Sequence, residues 1–343
     1  MVLYAGIDLH SNNSVVVVQD AADNVVKRGR LPNDLRRVCE WLAPYQADLA
    51  GVVVESTYNW YWLVDGLLDQ GHEVHLANTV AIQQYEGLKH RDDLSDARWL
   101  ATLLRLGQLP EGYIYPRNER AIRDLLRKRS QLVRQATANL LSLQNLFARN
   151  RGQSISANRI KKLTEDDVKI AFEDANIALA VQSNLQVFGC LQEQIGRLEE
   201  AVLEQVKLRP AYRQLLTVPG IGKILALTIM LETGDLNRFP KVGNYVSYCR
   251  LVGSRYLSNH KRKGAGNTKN GNAYLCWAFI EAANFAIRYN ETIRRYYQRK
   301  AARTNRIVAL KAMGHKLARA CYHMIRDDAV FDITRAFGGV HNR

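Results

Sequence analysis

The sequence predicts an α/β domain at the N-terminus, followed by a mostly helical remainder. Short Val-rich runs separated by turn-like residues fill residues 3–77, which is typical of the strands of a sheet. Beyond residue 110, apolar side chains instead recur at helical spacing. The 343 residues, 47% hydrophobic and 24% charged, are enough for about two or three domains and exclude a fully disordered protein.

Five apolar runs predict β-strands, at residues 3–8, 14–20, 24–31, 49–55 and 73–77. The turn-like sequences SNN and DAAD separate the first three runs, which predicts an antiparallel meander. Three runs predict helices, at residues 33–43, 58–69 and 93–106. Asn33 is the expected N-cap of the first helix. The resulting order, β-β-β-α-β-α-β-α, is that of the RNase H-like fold, with one central sheet.

Two long helical stretches follow, at residues 117–150 and 166–208, with a loop-like segment at 149–159 between them. In the second stretch, apolar residues follow a heptad-like spacing, at Phe188, Leu191, Ile195, Leu198 and Val202. An antiparallel hairpin, a dimerising coiled coil and a packed bundle without a partner all fit this pattern. Pro210 marks a break, and residues 215–330 predict a third, mostly helical region. The predicted domains are therefore 1–110, 111–209 and 210–343.

The charge of the chain is basic and unevenly distributed. The formal net charge is +15, and residues 250–343 hold 19 of the 48 Lys and Arg but only 5 of the 33 Asp and Glu. Because solubility alone does not require such a one-sided field, the C-terminal third is expected to face a polyanion. Nucleic acid is the favoured partner, although an anionic membrane surface would also suit the charge.

Several classes of protein are excluded by what the sequence lacks. No uncharged apolar run approaches the roughly 18 residues that a transmembrane helix needs. The opening MVLYAGID has no basic region and does not resemble a signal peptide. The five cysteines lie far apart without a C-x-x-C pair, which argues against a disulfide scaffold or a cysteine zinc site. A cytoplasmic protein is therefore expected.

Four acidic residues stand where a mixed sheet could bring them together. Asp8 ends the first predicted strand, Glu55 ends the fourth, and Asp93 and Asp96 share one face at the start of a helix. Carboxylate oxygens suit Mg²⁺, with Mn²⁺ as an alternative, and paired ions can assist phosphoryl transfer. Singly, each acid could equally be a helix cap or a turn residue, so the prediction depends on the combination.

The histidines of the N-terminal region show no pattern of metal ligands. Four of them lie in the predicted α/β domain, at His10, His72, His75 and His90. Their spacing does not indicate a metal site, and we expect them to be surface or packing residues.

Two segments of the C-terminal region suggest contacts with phosphate. VPGIG at 218–222 resembles a helix-hairpin-helix motif, whose glycines let backbone N–H groups approach a phosphate, although a plain helix–helix connection would use the same glycines. Residues 255–272 contain five Lys and Arg and no acid, and predict a mobile loop that orders on a phosphate backbone or stays solvated. By composition alone, Ser258 in this loop is simply a polar loop residue.

The last predicted helices, at 274–289 and 291–325, interleave cations with Tyr289, Tyr296 and Tyr297. This pattern suits single strands or RNA as well as duplex, although an ordinary solvated basic face would also produce it. We expect nucleic-acid contacts from twelve basic residues: Arg127, Arg134, Arg255, Lys261, Arg262, Lys263, Lys269, Arg294, Arg295, Arg299, Lys300 and Arg303.

Five motifs form one set: GIDLH with Asp8, VVVEST with Glu55, GLKHRDDLSDAR with Asp93 and Asp96, VPGIG, and RYLS with Ser258. Together they resemble the DEDD transposases of the insertion-sequence one-ten family, which includes Piv-like DNA invertases and bridge-RNA-guided recombinases. The similarity covers nearly the whole chain in the family's order. That order is a RuvC-like nuclease domain, a coiled coil and a C-terminal transposase domain.

The resemblance implies a specific chemistry. The four acids would bind Mg²⁺, and Ser258 would be the nucleophile that forms a covalent phosphoserine link to DNA. Relatives often carry Ser-Ser-Gly-Gly where this chain has Leu257-Ser258-Asn259-His260, so Ser258 matches the second serine and Ser254 is the nearest alternative.

The resemblance also implies partners. The basic regions would hold a structured guide RNA whose loops pair with donor and target double-stranded DNA. The protein would form a homo-oligomer, from dimer to tetramer, in which the serine of one protomer completes the acidic site of another. It would work in the bacterial cytoplasm at the nucleoid.

Three hypotheses therefore compete. The first is an RNA-guided DNA transposase or recombinase with a composite acid-and-serine site. The second is a RuvC-like structure-specific nuclease in which water, not Ser258, attacks the phosphate. The third is a non-catalytic nucleic-acid-binding scaffold whose acids are only caps and turns. A covalent protein–DNA adduct would separate the first hypothesis from the other two.

Overall fold

The computed structural model describes residues 1–82, 92–253, 256–264 and 269–338, without the side chains of residues 256–258 and 262. The chain forms two compact units. One comprises residues 1–117 and 254–270, and the other comprises residues 118–253 and 271–343. The segment that carries Ser258 thus groups with the N-terminal unit. The division into domains at 1–110, 111–209 and 210–343 stays a prediction.

A five-stranded sheet forms the centre of the first unit. Its strands are β1 (Leu3–Leu9), β2 (Asn13–Asp20), β3 (Val25–Pro32), β4 (Leu49–Glu55) and β5 (Val74–Ala77). Their order is β3-β2-β1-β4-β5, with antiparallel pairing among the first three in sequence and parallel pairing of β4 with β1 and β5. The predicted mixed α/β character of the N-terminal part is confirmed, including the meander.

Three helices cover the two faces of this sheet: α1 (Leu35–Leu42), α2 (Tyr61–Asp69) and α3 (Asp93–Arg105). The apolar side chains of α1 and α2 pack on one face, whereas those of α3 pack on the other. Because side chains alternate along a strand, Gly6 and Asp8 of β1 share the α3 face with Val53 and Glu55 of β4.

The packing of α3 on β1 depends on Gly6. A Cβ atom at this position would collide with the carbonyl oxygen of Ala97 and would lie 2.8 Å from the backbone nitrogen of Ala101. Only glycine therefore lets the helix backbone lie directly on the central strand. This close approach brings the first turn of α3 to the end of β1.

The sequence predicts Asn33 as the N-cap of α1, but the N-cap in the structure is Asp34. The Asp34 side chain accepts a hydrogen bond from a first-turn N–H at 3.3 Å. Asn33 instead accepts from the Ser14 hydroxyl at 2.7 Å and donates to the carbonyl oxygens of His10 and Ser11, at 2.9 and 3.0 Å. Asn33 therefore fixes the turn that follows β1.

The second unit begins with two long antiparallel helices. Its first helices are α4 (Arg117–Arg151), α5 (Ala157–Ile160), α6 (Glu165–Ala171) and α7 (Ala175–Val206). Asn184 donates to Ser142 at 3.1 Å, and Arg129 donates to Glu199 at 2.7 Å, so positions ascend along α4 as they descend along α7. The heptad-like residues Phe188 and Ile195 are buried in this pair. The apolar stripe is thus covered within one chain.

The prediction of one helix over 166–208 is wrong, because the chain breaks between α6 and α7. Phe172 has extended backbone and packs edge-on against Phe147, with ring centroids 4.9 Å apart. Asp174 then caps α7 by accepting from the N–H of Asn176 at 2.8 Å. The burial of the Phe172 ring and the N-cap at Asp174 together stabilise this break more than a continuous helix would be stabilised.

Seven further helices complete the described part of the second unit. They are α8 (Pro210–Leu215), α9 (Lys223–Thr233), α10 (Val242–Tyr248), α11 (Ala273–Tyr289), α12 (Glu291–Arg303), α13 (Arg306–Arg326) and α14 (Ile333–Phe337). The mostly helical character predicted for residues 215–330 is confirmed. Within the described ranges, no helix combines the length and the apolar character needed to cross a membrane.

The prediction of one helix over 291–325 is also wrong, since Thr304 and Asn305 separate α12 from α13. The Asn305 side chain accepts from the N–H of Val308 at 2.9 Å and starts a new helix. In the VPGIG segment between α8 and α9, Gly220 has a φ of +87°, and a Cβ there would collide with the carbonyl oxygen of Ala282. Gly220 is therefore required for packing of this connection on α11.

Part of the predicted basic loop is a β-hairpin. β6 (Tyr256–Ser258) pairs antiparallel with β7 (Lys261–Gly264). The two turn residues, Asn259 and His260, have φ values of 49° and 59°, as a tight turn of two left-handed residues requires. The prediction of a plain loop is therefore wrong for residues 256–264.

Candidate active site

Two carboxylates meet where neighbouring parallel strands end. Ile7 of β1 lies beside Val54 of β4, so Asp8 and Glu55 follow at the same edge of the sheet. Asp8 is only 5% exposed, and its carboxyl group is hydrogen-bonded to that of Glu55. Burial raises the pKa of Glu55 to about 8, reinforced by this hydrogen bond and by the negative charges of Asp8 and Asp96.

The first turn of α3 supplies the other two acids. Asp92 is its N-cap and accepts from the N–H of Ser95 at 2.8 Å, while the Ser95 hydroxyl accepts from the N–H of Asp92 at 3.0 Å. This reciprocal cap fixes the turn on which Asp93 and Asp96 lie. The side chain of Asp92 is thus engaged in capping, and Asp92 is not one of the four predicted acids.

Asp93 lies between a histidine and an arginine. Its Oδ2 atom is 3.3 Å from Nε2 of His10 and 2.5 Å from Nη2 of Arg30, and His10 Nε2 is also 3.4 Å from Oδ2 of Asp8. The hydrogen bond from Arg30 lowers the pKa of Asp93, and the positive charges of His10 and Arg30 act in the same direction. Asp93 therefore keeps its negative charge to a lower pH than a free aspartate does.

The donor atoms of the cluster fit a divalent cation. One ligand atom each from Asp8, His10 and Asp93 lies within 4.8 Å of the other two. Asp8 also belongs to the group of acids with Glu55 and Asp96. Hard carboxylate oxygens concentrated at a sheet edge are suitable ligands for such ions, and a cation would replace the proton that Glu55 otherwise holds.

Two family models match the sequence. One, of DEDD transposases of the IS110 group, matches residues 5–149, and the other, described as the transposase IS116/IS110/IS902 family, matches residues 212–298. The chain belongs to the IS110 family of DEDD transposases. It is therefore a DNA transposase, an enzyme that acts on DNA.

Individual relatives agree with this assignment. The chain is 23% identical to the transposase for insertion sequence element IS1328 of Yersinia enterocolitica over 335 residues, which are 95% of this chain and 97% of the relative. It is also 23% identical to the transposase for insertion sequence element IS1111A of Coxiella burnetii over 175 residues, which are 49% of this chain and 47% of that relative. Membership of the DEDD family suggests use of a divalent metal in general, and the acidic cluster is compatible with one.

In this transposase Arg127 is engaged within the protein. Its guanidinium donates two hydrogen bonds to the buried Glu232, at 2.6 and 2.7 Å, and Asn272 donates to the same carboxylate at 2.7 Å. Loss of this ion pair would leave the charge of the buried Glu232 carboxylate without its cationic partner. We therefore do not carry Arg127 forward as a nucleic-acid contact.

Other predicted basic residues lie on open surface. Lys261 and Lys263 are exposed on one side of β7, and Lys269 is exposed after it. On α12, Arg294 and Arg295 pair with Glu291 at 3.2 and 2.9 Å, while Arg299 and Arg303 are exposed and Lys300 is half-buried. Exposed pairs of this kind are weak, so their arginines can exchange a carboxylate for a phosphate. Arg255, Ser254 and the side chains of Ser258 and Arg262 lie outside the described residues.

Arg134 borders a cavity between α4 and α11. The cavity has a volume of about 420 Å³ and is lined by Arg129, Ser130, Val133, Arg134, Ala273, Tyr274 and Trp277. Trp277 is 43% exposed, although it is a large apolar side chain. Arg134 is exposed and forms no ion pair with any residue that the structure describes. An accessible indole beside a guanidinium suits stacking with a nucleobase.

Sequence reasoning missed three residues of these sites: His10, Arg30 and Trp277. His10 was expected to be a surface or packing residue because no ligand spacing connects it to Asp93, which lies far along the chain. Its position two residues after Asp8 was the available signal, since alternation returns it to the side of Asp8. The position of Arg30 depends on the antiparallel pairing of β2 and β3, in which Arg30 lies opposite Val15.

Proposed function

We propose that this transposase cuts and rejoins DNA at Asp8, Glu55, Asp93 and Asp96, with Mg²⁺ as the cation and Mn²⁺ as the alternative. The observation that carries the proposal is the convergence of the buried Asp8 with Glu55 at neighbouring strand ends and with Asp93. Burial and the negative charges of Asp8 and Asp96 raise the pKa of Glu55 to about 8, so this carboxyl group needs a proton or a cation at neutral pH. Acids that served only as caps and turns would not be gathered in this way. The strand order supports a RuvC-like form of the RNase H-like fold.

Asp8 has the central role among the four acids in this proposal. It contacts Glu55 on one side and His10 on the other, and so belongs to both halves of the cluster. A shared carboxylate is what a pair of neighbouring cations requires. Bound cations would supply Lewis-acid stabilisation of the phosphate undergoing transfer, while the capped α3 turn holds Asp93 and Asp96 in place.

Ser258 is the proposed nucleophile. Its Oγ would attack a DNA phosphorus atom, so that a P–O bond to Ser258 forms while the bond from phosphorus to one deoxyribose oxygen breaks. The serine proton leaves to a base, and the departing deoxyribose oxygen gains one. The match of RYLS to the serine motif of the family supports this role, and two observations describe the segment that carries Ser258. Residues 254–270 group with the unit that contains the acids, and Asn78, at the end of β5, donates to Asn270 at 3.3 Å.

The basic surfaces are proposed to hold nucleic acid. The α12 face with Arg294, Arg295, Arg299, Lys300 and Arg303 would contact phosphates of duplex DNA or of a structured guide RNA. The Trp277 cavity beside Arg134 would take an unstacked base of a single-stranded segment. We further propose the bridge-RNA guidance, the dimer to tetramer and the composite site that the family resemblance implies.

A covalent adduct tests this function. Purified protein would be incubated with Mg²⁺, its co-expressed RNA and end-labelled DNA from the element's junction, beside Ser258→Ala and Ser254→Ala. We expect a labelled protein–DNA adduct on a denaturing gel that disappears only with Ser258→Ala. Cleaved DNA without an adduct would instead indicate a nuclease that uses water. Neither product, with intact RNA binding, would favour a non-catalytic scaffold.

A further inference from the structure

His10 has a rigidly fixed backbone at the edge of the acidic cluster. Its N–H donates to the carbonyl oxygen of Asn13 at 2.9 Å. Its own carbonyl oxygen accepts from the side-chain amides of Asn33 and Asn59, at 2.9 and 3.0 Å. Three hydrogen bonds, from three separate segments of the chain, therefore hold the backbone of a residue that lies just beyond the end of β1. This is more support than an incidental surface histidine needs.

The imidazole of His10 is aimed into the cluster. Its Nε2 atom is buried and lies 3.4 Å from Oδ2 of Asp8 and 3.3 Å from Oδ2 of Asp93. It is nevertheless hydrogen-bonded to neither oxygen, nor to any other atom in the part of the chain that the structure describes. The Nε2 atom thus contacts two carboxylates without the geometry of a hydrogen bond to either, so a further group between these three atoms would satisfy it.

The spacing of the three atoms matches the needs of one cation. Ligand atoms about 2.1 Å from an octahedral ion lie about 3 Å from their neighbours in the coordination sphere. The distances from Nε2 to the two carboxylate oxygens are close to this value. The solvent-facing side of the ring, which makes the His10 side chain 37% exposed, leaves room for water to complete the sphere.

We propose that His10 is a nitrogen ligand to the divalent cation held between Asp8 and Asp93, and that it makes this position selective for first-row transition ions over Mg²⁺. The proposal rests on the metal use proposed above and goes beyond it, because an all-carboxylate site would have no such preference. Imidazole nitrogen binds ions such as Mn²⁺ or Co²⁺ more strongly than Mg²⁺, which prefers oxygen. The two halves of the cluster would then differ in metal preference.

Arg30 has a separate role from His10 in this geometry. Its Nη1 donates to Oδ1 of Asn13 at 2.7 Å, which anchors the guanidinium while Nη2 contacts Asp93. An anchored cation of this kind orients a carboxylate from outside the coordination sphere. Arg30 therefore positions Asp93, whereas His10 would contact the ion.

Mn²⁺ provides the direct test. MnCl₂ binding to the full-length protein would be measured from the electron paramagnetic resonance signal of free Mn²⁺, followed by competition with MgCl₂. Electron spin-echo modulation would report a directly bound ¹⁴N, and ¹⁵N-histidine labelling would assign it. We expect histidine nitrogen modulation in the wild type. His10→Ala should lose it and bind Mn²⁺ at least about tenfold more weakly, with less than about twofold change for Mg²⁺.

His75 provides the matched control. It also lies near carboxylates in the first unit, with Nδ1 3.0 Å from Glu111 and Nε2 3.8 Å from Glu73, but it lies away from the cluster. His75→Ala should keep both the nitrogen signal and the Mn²⁺ affinity. Loss of the signal in this variant, with retention in His10→Ala, would overturn the proposal.

Asp8→Asn separates this inference from the proposed function. If Asp8→Asn abolishes Mn²⁺ binding while His10→Ala keeps the wild-type preference for Mn²⁺ over Mg²⁺, the metal site stands and the His10 proposal is wrong. If Asp8→Asn leaves Mn²⁺ binding unchanged, the proposed metal site itself is wrong. Should His10→Ala fail to fold, the wild-type spectrum still decides, because absence of histidine nitrogen from the bound Mn²⁺ contradicts the proposal.

Discussion

At the scale of a single residue, the raised pKa of Glu55 shows that the acidic cluster holds a proton when no cation is bound. Burial, the hydrogen bond to Asp8 and the charges of Asp8 and Asp96 raise its pKa to about 8. Between pH about 4.5 and 8, the folded protein holds a proton at Glu55 that the unfolded chain has released. In metal-free buffer, the contribution of this group to stability therefore declines as the pH rises through that range.

Glu55→Gln removes this titration and one metal ligand together. In metal-free buffer, we expect the Tm of the wild type to fall between pH 6 and pH 8.5 by about 2 °C or more beyond the fall seen for Glu55→Gln. Added MnCl₂ should raise the Tm of the wild type more than that of the variant, because the cation then replaces the proton. Thermal unfolding followed by circular dichroism measures both effects. Parallel pH profiles for the two proteins would contradict the expectation.

The acids could be predicted at this scale because each ends an apolar run or starts an amphipathic one. His10 and Arg30 could not, since their contacts with Asp93 depend on the turn after β1 and on the pairing of β3, which no local pattern specifies. Arg127 shows a contact within the protein that the sequence did not indicate. Its place on an Arg-rich helix suggested nucleic acid, but its partner Glu232 lies on a distant helix whose burial was not visible in the sequence.

At the scale of elements, the contact of α3 with β1 connects stability with the site. Gly6→Ala adds a methyl group against the backbone of Ala97, and we expect a loss of about 1–3 kcal/mol in the free energy of unfolding. The first turn of α3 would shift with the helix, so the affinity for MnCl₂ should fall as well. Urea denaturation and the Mn²⁺ titration measure the two effects.

Gly189→Ala is the matched control for this substitution. Gly189 lies within α7, and a Cβ there would meet no atom within 4 Å. Alanine should therefore stabilise the protein by about 0.5–1 kcal/mol through helix propensity alone, with no change in Mn²⁺ affinity. Equal effects of the two substitutions would show that the contact of α3 with β1 does not determine the position of the acids.

The elements were predictable where one pattern dominates. The run SVVVVQD gives β2 because branched residues strongly favour a buried strand, and its observed bounds extend the prediction by one residue. The break at Thr304 was missed because good helix formers lie on both sides of it. The β6–β7 hairpin was missed because its turn is Asn-His, and histidine is not the glycine that normally indicates a two-residue turn.

At the scale of the whole molecule, we expect two kinds of contact with nucleic acid. Phosphate contacts of the basic surface should depend on salt, whereas stacking of a base on Trp277 should not. Arg299→Gln together with Arg303→Gln removes two of the phosphate contacts proposed for α12. The slope of log K against log salt for RNA binding should therefore become shallower by about 1.4–1.8. Trp277→Ala should weaken binding by about 1–3 kcal/mol for one lost base stack, with the slope unchanged.

Filter binding at several salt concentrations measures these slopes. Trp277→Phe, which keeps an aromatic ring, should restore most of the lost affinity. Arg37→Gln removes an exposed charge from the N-terminal unit and should leave the slope unchanged. A shallower slope for Arg37→Gln equal to that of the α12 variant would mean that net charge alone, and not a defined surface, determines binding.

The buried network at Asn272 has a consequence for how such elements diverge. The Oδ1 atom of Asn272 accepts from the N–H groups of Tyr274 and Leu275 at the start of α11, and its Nδ2 donates to Glu232. Its own N–H donates to the carbonyl oxygen of Tyr248 at 2.6 Å. These hydrogen bonds of Asn272 therefore fix the start of α11, and none of them comes from the β6–β7 hairpin that precedes it. Hairpin residues beside Ser258 can therefore differ between relatives without a change at the start of α11.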